Sequence, residues 1–438
     1  DGCRRRTARV GHMKLTWFQI VRLGLVQMCL GAIVVLTTST LNRLMVVELA
    51  LPAVLPGLLV ALHYSIQLSR PSWGHKSDTG GKRTRWIIGG MAILGLGGFL
   101  AAVGVPLLVA NYWIGLTVSI LAYTLIGVGV GASGTSLLAL LATATAHHHR
   151  AAAATITWLM MIFGIAVTAT VVGNMLDPYS PALLLKLVGA VCLIATALTI
   201  LAVWGIECSV NAEREPDPTP FRQGLAEVWA DPRARRFTIF VFLSMTAYFM
   251  QELILEPYAG LVFNLTPGET TSLSGAQNGG VFLGMLVVGI AATGLKIGSL
   301  RNWVIAGCLG SALSLAALSF IGTAALATLL QPVVITLGFF NGMFAVAAIG
   351  SMMSLAGEGR QRREGTRMGL WGAAQAIAAG FGGLMGAAMV DIARTVTTDA
   401  TAFGAVFIIE SAVFVCAAIL AIKVMGRTPI AATLVPGE

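Results

Sequence analysis

Glu252 and Glu256 stand four residues apart inside an apolar run, flanked by Gln251, Pro257 and Tyr258. That spacing puts both carboxylates on one face of a helix. Ionisable groups in such surroundings are costly and usually mark function. Three roles fit them: a proton-coupling pair, polar contacts for a bound head group, or an anchor at a helix end. Pro257 is expected to kink or end the helix there. His63, with Gln67 four residues on, is the only histidine of six inside an apolar run. A neutral imidazole can take a proton or serve as an axial ligand to the metal of a macrocycle; a hydrogen-bonded core histidine is the commoner outcome. Glu410 is an isolated acid in the last apolar run, and Asn341 sits in Gly338-Phe339-Phe340-Asn341-Gly342, where the glycines permit close helix packing. Arg43 and Glu48 are spaced to pair across a turn, which contributes little if exposed.

A second kind of chemistry lies in the polar, basic stretch from Arg70 to Arg85. It contains Gly74-x-x-Ser77-Asp78-x-x-Gly81-Lys82-Arg83. Gly74 and Gly81 allow sharp turns and close backbone approach. Asp78 can cap a helix or pair with Lys82 or Arg83. Such a contact can hold one state of a rocking protein and release it in another, so these residues are the candidate gate. The plainer reading is a positively charged loop.

The elements that must position these groups follow from composition. The chain has 438 residues, 56% hydrophobic and 11% charged, whereas soluble domains carry about 25% charged residues. So much apolar surface requires lipid as its solvent. Twelve apolar segments are expected near 17–41, 48–69, 86–109, 112–136, 151–175, 182–206, 237–262, 274–295, 302–322, 324–355, 368–390 and 403–425. The predicted fold is an all-α membrane protein in two six-helix halves: a basic segment 1–14, a bundle 15–206, a linker 207–236 and a bundle 237–438. Gly134-Thr135-Ser136 recurs as Gly350-Ser351-Met352 at an offset of 216, and Trp158 recurs as Trp371 at 213, as a duplicated fold requires. The formal charge of +9 does not point to nucleic acid, because the lysines and arginines gather in alternate loops and leave Arg43, Lys186 and Arg394 on the other side. That bias puts both termini in the cytoplasm. Arg22 is expected to snorkel to the cytoplasmic face. Met13 offers a natural start, and residues 1–12 read as a tag remnant, an over-long gene product or a basic arm on anionic lipid. The six cysteines form no metal or disulfide pattern. With no catalytic motif either, an enzyme is not expected, nor is a required cofactor or a metal.

The Gly74 to Arg83 spacing resembles the loop between the second and third helices of the major facilitator superfamily. Other stretches resemble something narrower, the PucC/LhaA family, also called the bacteriochlorophyll delivery family. They are Thr40 to Leu49, Gly74 to Asp78, Glu252 to Tyr258, Phe340 to Met353 and Met368 to Ala376. The resemblance covers the chain from about Thr16 to Val424 and implies a photosynthetic bacterial inner-membrane protein. Such a protein would bind or deliver bacteriochlorophyll or a precursor and assist light-harvesting complex assembly. Its partners would be antenna polypeptides and late pigment-synthesis enzymes, and His63 would be the candidate ligand to the chlorin magnesium. The absence of a long N-terminal extension and the run Leu68 to Trp73 lean towards a shorter branch, whose genes lie among pigment-synthesis genes. Two other readings stay open: a proton-coupled small-solute transporter and a non-transporting assembly scaffold.

Overall fold

The computed structural model of the chain describes residues 14–69, 83–145, 150–209, 229–295, 297–357 and 364–425. Residues 1–13 and four residues of the expected gate, Gly74, Asp78, Gly81 and Lys82, lie outside them. In chain order the long elements are α1 (Trp17–Glu48), α2 (Val54–Gln67), α3 (Arg83–Ala110), α4 (Tyr112–Ala144), α5 (Arg150–Leu176), α6 (Pro181–Val203), α7 (Pro232–Phe263), α8 (Pro267–Gly289), α9 (Leu300–Thr323), α10 (Leu330–Gly357), α11 (Glu364–Arg394) and α12 (Asp399–Val424). Among the described residues no strand occurs, and eleven helices are long and apolar enough to cross a bilayer. Apolar side chains cover even the outer faces: Trp113, Leu193 and Leu313 are 73–74% exposed. A helix that is apolar all round satisfies its backbone internally and belongs in lipid.

Local chemistry sets where these helices begin. Thr16 and Gln19 form a capping box at α1. Asn111, Ser180 and Ser299 each accept an amide at the starts of α4, α6 and α9. Asp231 caps α7, with Pro232 at its first position, where a missing N–H costs nothing. Asn264 closes α7 in a left-handed conformation.

Several expectations need correction. Residues 40–48 are not a hairpin turn. The helix continues through them to Glu48, with π-helical turns at Leu36–Thr40 and Leu44–Glu48. The second segment is shortened in consequence, to the 14 residues of α2, rising about 21 Å. Pro257 does not end its helix, which runs on to Phe263. The loss of one intrahelical bond is tolerated in a membrane helix whose neighbours pack closely around it. The segment expected over 324–355 opens with a bend, Ala325 lying at φ 55°, before α10 begins at Leu330.

The chain divides into two compact units. One comprises Asp1–Leu51, Leu58–Pro216 and Thr266–Gly275; the other comprises Pro52–Gly57, Asp217–Leu265 and Ala276–Glu438. In the first, α3 packs on α4 and α1 on α5. A Cβ on Gly90 would stand 2.5 Å from the Ser133 nitrogen, and one on Gly129 would stand 2.5 Å from that of Leu94, so these helices touch backbone to backbone. In the second, α7 packs on α11, and α9 on α10 and α12. Gly280 and Gly284 of α8 meet Gly338 and Gly342 of α10. Cβ atoms at these four positions would lie 2.0–2.4 Å from backbone oxygens of the facing helix. The close packing expected around Asn341 comes from this four-glycine contact.

Candidate functional site

The second unit holds Gln251, Glu252, Glu256, Tyr258, Asn341 and Glu410, most of the predicted pigment or substrate candidates. On α7, Gln251, Glu256 and Tyr258 are buried and Glu252 is partly exposed, so the two glutamates share a helix but not an environment. Tyr258 donates its hydroxyl to the Leu318 carbonyl at 2.6 Å and packs edge-on against Phe407 of α12 at 5.0 Å. That contact sets the register of α7 against α12. Gln251 lies two turns from Tyr258 on the same face of α7, and Glu410 lies one turn beyond Phe407 on α12.

Glu410 is completely buried, as is Asn341. Ser311 donates to Asn341 Oδ1 at 2.8 Å. Phe344 and Phe414 meet edge-on at 6.2 Å. Asn341 precedes Phe344 by three residues, and Glu410 precedes Phe414 by four. Because α10 and α12 run the same way, both polar groups stand about one turn to the same side of that ring contact. Among the described residues neither oxygen of Glu410, nor Asn341 Nδ2, nor Gln251 Oε1 has a hydrogen-bond partner. Buried polar atoms without partners are rare and costly. Oxygen donors of this kind suit a hard cation such as magnesium or a shared proton, and Asn341 Nδ2 suits a keto or ester oxygen. These residues are the candidate polar contacts of the second unit.

His63 lies in the first unit. Its ring is buried, and its Nε2 meets the Gln67 side-chain nitrogen at 2.5 Å. The packing is tight there: a Cβ on Gly127 would fall 2.8 Å from the His63 carbonyl. Arg43 and Glu48 pair at 2.5 Å within the continuous α1, five residues apart along the π-helical turn. Arg43 is 2% exposed and Glu48 39%. Tyr179, in the connection after α5, has its phenol pushed above the ordinary value by burial and then by Glu48, with Arg43 opposing. Arg22, expected to reach the cytoplasmic face, turns to the end of α6. It donates to the Leu201 and Trp204 carbonyls at 3.2 and 2.6 Å, capping the end of α6.

Arg83, the described residue of the expected gate, is buried and donates to the Ala139 carbonyl at 3.2 Å. Its backbone belongs to a cap that the sequence reading missed. Glu207 accepts the Arg83 amide at 2.7 Å, and the Thr84 amide and hydroxyl at 3.1 and 2.8 Å. Two more carboxylates act in the same way. Asp177 accepts the Gly268 amide at 3.2 Å and the Thr266 hydroxyl at 2.5 Å, while Asp391 accepts the Ala53 and Val54 amides at 3.0 and 2.7 Å. The available signal was an isolated acid at the end of an apolar run, followed in one case by proline.

Comparison with known proteins fits this architecture. The family model described as PUCC protein matches residues 40–428. The chain belongs to the PUCC protein family. It is 65% identical over 415 residues to the bacteriochlorophyll synthase 44.5 kDa chain of Rhodobacter capsulatus, covering 94% of this chain and 96% of that one. Protein PucC of the same organism is 29% identical over 450 residues, covering 96% and 95%. The nucleoside transporter NupG superposes with a TM-score of 0.68 at 13% identity, covering 93% of this chain and 98% of its own. A bacterial homologue of the human drug and peptide transporters gives 0.67 at 16%. At such identities the likeness concerns the fold, which is that of the major facilitator superfamily. This PUCC-family chain is a multi-pass membrane protein.

Proposed function

We propose that the protein binds bacteriochlorophyll or a precursor within its helices, and that it passes the pigment to antenna polypeptides or works beside late pigment-synthesis enzymes without itself being an enzyme. The observation that carries this reading is the near-full-length similarity to a chain named for bacteriochlorophyll synthase, 65% identical. The buried oxygens of Gln251 and Glu410 support it, because each is a ligand group with no partner among the described residues. His63 is the weaker candidate, since Gln67 already engages its Nε2. Bound pigment would supply the light absorption; the chain's own part is to shield a flat apolar ring from water and orient it through a few polar contacts. The Lys and Arg distribution supports both termini being cytoplasmic, and the relatives support a photosynthetic inner membrane.

The test is the absorption spectrum of protein purified in mild detergent from its native membrane, with the extracted pigment identified. A stoichiometric near-infrared chlorin band is expected, and the tail of the pigment would place the protein before or after the last synthetic step. A folded, colourless protein overturns pigment binding and favours a scaffold. Proton-driven uptake of a small solute in liposomes, abolished in Glu252→Gln, would establish the transporter reading instead.

A further inference from the structure

A cavity of about 610 Å³ opens in the second unit where α7 and α9 begin and α12 ends. Arg233, Arg236, Arg301 and Lys423 line it, against one acid, Asp231. Asp231 caps α7, its Oδ1 accepting the Arg233 amide at 2.9 Å, and its charge offsets one of the four cations. The starts of α7 and α9 add the positive ends of two helix dipoles, against the one negative end of α12. Among the described residues none pairs with Arg236, Arg301 or Lys423. Arg301 Nε is moreover buried without a hydrogen-bond partner. Cations converging on one cavity repel unless an anion offsets them.

The remaining wall is apolar, formed by Ile422, Val424 and Met425 at the end of α12. A simple inorganic ion would use the cations and leave this wall idle. An anion joined to an apolar chain uses both. Arginine forks match phosphate oxygens in pairs, and the membrane-facing end of a basic helix bundle is where anionic headgroups concentrate.

We propose that this cavity binds the phosphate group of an anionic amphiphile, with the apolar part of the ligand against the end of α12. The phosphate could belong to a membrane phospholipid or to a water-soluble phosphate or diphosphate compound carrying an apolar chain. Neither source depends on the pigment reading, so a colourless protein would leave the site intact.

The full chain, delipidated in neutral detergent, would be titrated with phosphatidylglycerol and with phosphatidylcholine and followed by native mass spectrometry. Inorganic pyrophosphate would be titrated separately by calorimetry. The wild type should prefer phosphatidylglycerol. Arg236→Gln and Arg301→Gln should each weaken that binding about fivefold, the factor expected from losing one cation near an anionic headgroup. Lys186→Gln removes one charge outside the cavity and should leave binding unchanged. Melting temperatures of the variants separate lost binding from lost fold. If pyrophosphate binds the wild type and binds more weakly to Arg301→Gln, the site accepts free phosphate chemistry; if only the lipid binds, the ligand is a membrane component. Equal affinity in Arg301→Gln and Lys186→Gln, or no phosphate ligand bound by the wild type, overturns the proposal.

Discussion

Asp391 caps Val54: its Oδ2 accepts the Val54 amide at 2.7 Å while Oδ1 accepts that of Ala53 at 3.0 Å. At an offset of 214, Asp177 does the same at Gly268, taking its amide at 3.2 Å. Each acid sits near the C-terminal end of a long helix and satisfies the exposed amides at the start of another. The offset matches those of the internal repeats, so the two caps are copies of one device.

Asp391→Ala should cost about 1–2 kcal/mol, a cap plus its interaction with the helix dipole. Amide exchange should rise at Ala53 and Val54 in that variant, and at Gly268 in Asp177→Ala. Asparagine at either position should restore most of the protection. Unchanged exchange at these amides would show that the caps do not hold the helix starts.

The helices were legible in the sequence because long apolar runs report on lipid directly, and the family because stretches such as Phe340 to Met353 resemble it. The caps were not. Asp177, Glu207 and Asp391 look like ordinary loop acids until folding brings distant amides to them. The first hairpin was misread for a similar reason. Thr37, Thr38, Ser39, Thr40, Asn42 and Arg43 are polar enough to suggest a turn, yet all are buried inside a continuous helix. Thr37 and Thr38 return their hydroxyls to the Val34 carbonyl, which removes the cost of burying them. Of the site, sequence spacing identified Glu410 and Asn341 singly, while their shared level depends on the Phe344–Phe414 contact, which no spacing contains.

The Arg43–Glu48 pair should reveal itself through Tyr179. Burial and Glu48 raise the phenol's pKa and Arg43 lowers it. Glu48→Gln should therefore move the titration down towards the ordinary value, and Arg43→Gln should move it up. The native state holds this proton more tightly than the unfolded chain. The associated stability is complete below the unfolded value of 10.0 and is lost as pH rises through the folded one. Ultraviolet difference titration with Tyr179→Phe as the blank measures both shifts. Glu48→Gln should also destabilise by about 1–2 kcal/mol, less than a fully buried pair because Glu48 is partly solvated.

The α8–α10 contact gives a prediction with its own control. A Cβ on Gly342 would lie 2.0 Å from the Val281 carbonyl oxygen, whereas one on Gly279 meets nothing within 4 Å. Backbone cannot yield as a side chain can, so Gly342→Ala should cost about 3 kcal/mol or more. Gly279→Ala should be neutral or stabilising by up to about 1 kcal/mol, since alanine favours the helix. Thermal melting in one detergent compares the two. Equal melting temperatures would mean that these helices are free to separate.

Glu410 offers the sharpest separation of structure from function. It is fully buried, and its carboxylate oxygens have no partner among the described residues. Glutamine keeps its shape and removes only the acid, so Glu410→Gln should leave stability unchanged within about 1 kcal/mol. Glu410→Ala opens a cavity and should cost about 2–4 kcal/mol. If Glu410 contacts bound pigment, pigment recovered per protein should fall in Glu410→Gln while the melting temperature holds. Asn341→Leu should lower pigment content too, at a cost of about 1–3 kcal/mol in stability, because it also strips the buried Ser311 hydroxyl of its acceptor. A Glu410→Gln protein with wild-type pigment content would take Glu410 out of the site.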